Sequence, residues 1–104
     1  MTSKLLIIET TYPHDFDLTD IAKDLVQDQL AICIQETPQI KSTYLWNNKV
    51  ETDFEKKVTL KITDQNKETV RKLLEETHPY DVPQIITICP NHVNEAYSEW
   101  AMSS

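Results

Sequence analysis

The side chains with chemical reach gather in His78-Pro79-Tyr80-Asp81-Val82-Pro83, where an imidazole, a phenol and a carboxylate stand between two prolines. A neutral imidazole suits copper, nickel or zinc, and beside a phenol and a carboxylate it is also able to move protons. The plainer reading is a histidine that closes a helix, favoured there by the negative end of the helix dipole, with Tyr80 and Asp81 bonded to local backbone. Each proline pushes the residue before it out of the α region, so a helix stops near His78 and Val82 is extended. Gln84 to Cys89, rich in β-branched residues and closed by Pro90, then reads as a strand. The hexapeptide is a helix-to-strand joint that presents three polar side chains at the rim of a sheet.

Other candidates are more dispersed. Cys33 is a soft metal ligand or redox thiol by type, yet its place between Ile32 and Ile34 equally describes an inert buried thiol. Lys61 shares one strand face with Thr59 and Thr63, opposite the apolar Val58, Leu60 and Ile62. Near a buried seam it needs a carboxylate, for which Glu51 or Glu55 of the same or a neighbouring chain serves, either as a structural ion pair or as part of a small-ligand cleft. Tyr44 and Trp46 occupy alternate positions, as interface packing or as a ligand platform. His14 with Asp15, Asp17 and Asp20 has enough donors to hold a cation weakly, although helix capping accounts for those acids. No nucleophile, base and orienting group stand together, so no enzyme is expected.

Composition narrows the partners. The 104 residues make one domain, 1–104, carrying 10 Lys plus Arg against 17 Asp plus Glu for a net charge of -7. With no basic cluster, such a surface repels phosphate backbones and anionic lipid, so neither nucleic acid nor membrane is expected as a partner, while cations suit it. Cys33 and Cys89 form no CxxC or zinc-type spacing, which fits reduced thiols in a cytoplasmic protein. The apolar run Leu5 to Ile8 is too short for a signal peptide or a membrane span. The chain has no glycine, so turns with positive φ must use Asn or Asp, and no glycine-rich phosphate loop can be written.

These side chains must be positioned by seven elements, the Gln84 to Cys89 strand among them. Leu5 to Ile8 predicts a strand apolar on both faces, and Leu18 to Leu30 a helix with one apolar stripe. Ile32 to Trp46 and Val50 to Ile62 alternate as two long strands, the first bent at Thr37-Pro38, joined at Asn47-Asn48. Asp64 to Thr77 predicts a second helix capped by Asp64, and Asn94 to Ala101 a short terminal helix docking Tyr97 and Trp100. The order is that of an α+β, ferredoxin-like βαββαβ sandwich with a long hairpin between its second and third strands. Both main helices cover one sheet face, and with no third layer expected, the apolar rear of the first strand requires other copies of the chain.

Leu30-Ala31-Ile32-Cys33, Ser42-Thr43-Tyr44-Leu45-Trp46, Glu51, Glu55, Leu60-Lys61-Ile62-Thr63, the HPYDVP joint, and Asn94 with Tyr97 and Trp100 together resemble the CutA divalent-cation tolerance family, nearly from end to end. The resemblance implies a PII-like homotrimer with clefts between subunits, no established reaction, and a tie to tolerance of copper or another divalent cation. It places Lys61, Glu51, Glu55, Tyr80, Asp81, Tyr44, Trp46 and Trp100 at such clefts, with His78 and Cys33 as candidate metal ligands. A protein partner reading the trimer is a further implication, and a PII-like sensor of a small anionic metabolite is the alternative. Some members carry a thiol where this chain has Thr10 and a second histidine where it has Thr77, which leaves His78 alone.

Overall fold

A computed structural model describes residues 3–103; Met1 and Thr2, which open the N-terminal stretch weighed above, and Ser104 lie outside it. The elements are β1 (Leu5–Pro13), α1 (Thr19–Gln27), β2 (Cys33–Trp46), β3 (Lys49–Thr63), α2 (Lys67–Thr77), β4 (Ile85–Ile88) and α3 (Glu95–Met102), with a 3-10 turn Asp64–Asn66 before α2. The strands form one sheet in the order β2-β3-β1-β4, antiparallel at every pairing.

The core follows from alternation on the two central strands. Leu6, Ile8 and Tyr12 on β1 stand level with Ile62, Leu60 and Lys56 on β3, and Val58 lies opposite Thr10. Leu25, Val70 and Leu74 from the two helices, with Leu18 just before α1, close over this face. The strand is longer than its apolar run because Thr10 and Tyr12 continue the inward parity beyond Ile8. Tyr12 is fully buried, and its hydroxyl finds no hydrogen-bond partner; burial pushes the phenol up to about 12. Since a buried hydroxyl without a partner costs about 1–3 kcal/mol, Tyr12→Phe is expected to leave stability unchanged or raise it by roughly 1 kcal/mol in urea unfolding. A loss of more than that would reveal a partner for the hydroxyl.

The turns show how a glycine-free chain bends. Asn47 and Asn48 both take positive φ, 52° and 64°, as a two-residue primed hairpin turn requires. The other two described residues with positive φ are glutamines, not the Asn or Asp expected. Gln29 (φ 60°) ends α1: its N–H donates to the Val26 carbonyl at 3.1 Å and the Leu30 N–H to the Leu25 carbonyl at 2.9 Å, the double closure of a Schellman motif. The helix therefore stops at Gln27 rather than Leu30. Gln39 (φ 54°) lies in the bulge where the β2–β3 register shifts between Thr37 and Ile40. Asp64 does not cap α2. It opens the 3-10 turn, its carboxylate accepting from the Lys4 N–H at 3.1 Å while its own N–H donates to the Lys4 carbonyl at 2.9 Å.

Two features govern the rest of the surface. On the second sheet face, Lys61 places its ammonium 5.3 Å from the centre of the Tyr97 ring, so α3 supplies part of the cover that was expected to come wholly from other copies. The hairpin, by contrast, projects from the body. The radius of gyration is 14.9 Å, against about 13 Å for a compact chain near this length. Its outer part exposes Leu45 (71%), its cross-strand partner Val50 (72%), Phe54 (59%) and Trp46 (55%).

Candidate functional site

The HPYDVP joint is tied to the sheet through His78. Its backbone is extended (φ -70°, ψ 136°), as a residue preceding proline must be, and this ends α2. The imidazole stacks on Tyr12, centroids 4.2 Å apart and planes 14° apart, with Tyr12 in turn stacked on Phe16. The Tyr80 N–H donates to Nδ1 at 3.2 Å, which makes Nδ1 the unprotonated nitrogen and leaves Nε2–H to donate to Thr10 Oγ1 at 3.2 Å. Burial holds the imidazole below its ordinary range, countered in part by the Thr11 backbone and by Glu55. His78 is a neutral ring with both nitrogens engaged inside its own chain.

From this anchor Tyr80 reaches well beyond local backbone. Its hydroxyl donates to Glu55 Oε1 at 2.8 Å, across 25 positions, and burial together with that bond raises the phenol well above its usual range. A second pair repeats the arrangement on the hairpin, where the Tyr44 hydroxyl donates to Asp53 Oδ2; this bond lifts the Tyr44 phenol to about 12. Both phenols thus stay protonated near neutral pH and act as donors. The alternation of β3 puts Asp53 and Glu55 on one side, shared with Glu51, the cross-strand partner of Tyr44.

Between the hairpin and the joint runs an open groove of about 1030 Å³. Of the predicted cleft residues, Tyr44, Trp46, Glu55, Tyr80 and Asp81 line it. Glu51 lies beside it, opposite Tyr44. Lys61 and Trp100 lie elsewhere in the chain: Lys61 stands over Tyr97, and Trp100 packs at a tilt against the same ring, centroids 5.6 Å apart. Sequence reasoning missed Asp53, and it marked Thr10 as a departure from the family rather than as the partner of His78. Asp53 shared the parity of Glu51 and Glu55, a signal that would have found it; the role of Thr10 was hidden by ending the first strand at Ile8.

The donor set does not fit a resident metal within one chain. Among the described residues no three His, Cys, Asp or Glu side chains gather as a cation site. At the two threonines that the resemblance singled out, Thr10 bonds His78 and Thr77 Oγ1 donates to the Leu73 carbonyl at 2.8 Å. Cys33 is a half-buried free thiol at the start of β2, level with Lys61, rather than a fully buried one. Asp17 accepts from the Thr19 N–H at 2.9 Å at the start of α1, and hydrogen bonding from the Thr19 side chain, followed by that backbone bond, holds the Asp17 carboxyl below its usual range. His14 instead lines the groove.

These features define a small α+β protein with a four-stranded antiparallel sheet, a projecting hairpin, and an aromatic and acidic groove between that hairpin and the helix-to-strand joint. The chain belongs to the CutA1 divalent ion tolerance protein family, whose model it matches over residues 6–104. It is 33% identical over 96 residues to the divalent-cation tolerance protein CutA of Pyrococcus horikoshii, covering 92% of this chain and 93% of that one. It is also 33% identical over 90 residues to the CutA homolog of Xenopus laevis, covering 86% of this chain but only 60% of that longer relative. Among solved structures, CutA1 from Ehrlichia chaffeensis matches with a TM-score of 0.88 at 27% identity, over 99% of this chain and 96% of that one. Among the described residues no helix is long and apolar enough to cross a membrane.

Proposed function

We propose that the protein is a non-enzymatic, ferredoxin-like homotrimer of the PII-like kind, which contributes to copper or other divalent-ion tolerance through weak cation binding or signalling to a partner rather than through a resident metal centre. The observation that supports assembly is the projecting hairpin, where exposed Leu45, Val50 and Phe54 share one face and have no cover among the described residues, while Trp46 lies on the other face with the groove. Three-fold closure is what the family resemblance implies. In that arrangement Glu51, Glu55 or Lys61 is able to pair across a seam, and His78 and Cys33 meet a metal only by giving up present contacts or gaining ligands from a neighbour.

The groove lining contains no lysine or arginine, which favours cations over the anionic metabolite of the alternative reading. A cytoplasmic location is proposed on the composition alone, since relatives from Arabidopsis thaliana and Oryza sativa are named chloroplastic. Light scattering at micromolar concentration is expected to give three times the 12.1 kDa chain mass; a lone 12.1 kDa particle would remove the assembly reading. Calorimetry with copper is expected to show weak binding, and one tight stoichiometric site would remove the proposed absence of a resident centre.

A further inference from the structure

We propose that the groove between the hairpin and the joint binds an organic cation, an ammonium or guanidinium group carried on an apolar body. Charge selects the sign: Asp53, Glu55 and Asp81 line the groove, while none of the chain's 10 lysines and arginines does. Ring faces select the body. Tyr44, Trp46 and Tyr80 line the same groove, and aromatic faces attract cations through their quadrupole while covering apolar carbon. The parts are also held in place before any ligand arrives, because Tyr44 bonds Asp53 and Tyr80 bonds Glu55. Each of those carboxylates keeps a second oxygen for a cationic donor, and prior ordering lowers the entropic cost of binding.

A bare divalent ion satisfies this arrangement less well. Hard cations require six or more oxygens around one point, and the described acids do not gather in that way. An apolar ammonium needs only one or two carboxylate oxygens and a ring. The inference rests on the assembly reading in one respect: the seams between copies must leave the groove open.

The test uses the full chain after light scattering has fixed its mass. Trp100→Phe leaves Trp46 as the remaining indole of the two, and its fluorescence is followed during titration with benzyltrimethylammonium chloride and, separately, sodium phenylacetate. Calorimetry on the unsubstituted protein supplies a readout independent of that substitution. Saturable binding of the ammonium without binding of the carboxylate is expected, weakened about tenfold or more in the Asp53→Asn, Glu55→Gln double variant as charge-assisted contacts are lost. No saturation by the ammonium, equal response to both ions, or an unchanged constant in the double variant overturns the proposal. An assembled protein that fails to bind loses the groove and keeps the assembly; a monomer that binds loses the assembly and keeps the groove.

Discussion

Replacing Leu45 and Val50 together by glutamate is expected to convert the assembled protein into a folded species of 12.1 kDa. The two residues are cross-strand partners next to the Asn47-Asn48 turn, each more than 70% exposed and far from the core of β1, β3 and the helices. In the isolated chain, surface substitutions of this kind change stability by roughly 0.5 kcal/mol or less. In a seam the result is different. Burying a large aliphatic side chain contributes about 1.5–3 kcal/mol, and a carboxylate placed there without a partner adds a desolvation cost of several kcal/mol. Repeated at every seam, the loss exceeds what separates assembled from free chains at micromolar concentration. Light scattering gives the mass and far-ultraviolet circular dichroism shows whether the fold survives. A double variant with unchanged mass would mean that the hairpin tip lies outside the contacts and that other surfaces hold the copies together.

Local patterns revealed the elements more fully than their connections. Alternation in β2 and β3, the Asn47-Asn48 turn and the proline-bounded joint were legible because each depends on neighbours in sequence. The end of α1 was not, since Gln29 is an unusual residue for a left-handed closure and only the hydrogen bonds to Leu25 and Val26 mark it. The length of β1 was misjudged for a related reason: Thr10 is polar and Tyr12 amphipathic, so their inward parity looked like a loop until Val58 and Lys56 supplied the other half of the ladder. At the candidate site, Tyr80 and Glu55 were both chosen from sequence as cleft residues, but a bond spanning 25 positions has no local signature. Lys61 shows the opposite case. A lysine opposite an apolar stripe called for a carboxylate, and within the chain it meets the face of Tyr97, a cation–π contact that spacing alone could not distinguish from an ion pair.

His78→Ala is expected to be among the most damaging single substitutions at the joint, lowering stability by about 2–4 kcal/mol. The ring fills the space between Tyr12 and Tyr80, and its loss opens a cavity beside a fully buried aromatic. It also removes the acceptor of the Tyr80 N–H and the partner of Thr10 Oγ1, leaving part-buried polar groups unmatched. The deficit has a pH signature. Because burial holds the folded imidazole below its ordinary range, the unfolded chain takes up its proton first as pH falls below about 6.5. The contribution of the neutral ring is therefore complete above that pH and is lost progressively toward the lower folded value. The gap between the natural chain and His78→Ala should narrow on acidification, in urea unfolding at one fixed protomer concentration so that assembly weighs equally on both. The same measurement separates the two roles that the sequence left open for this histidine. If it is a packing and hydrogen-bonding anchor, the deficit is the same with and without EDTA; a deficit that disappears in EDTA would make His78 a metal ligand and overturn the reading of its ring as satisfied within the chain.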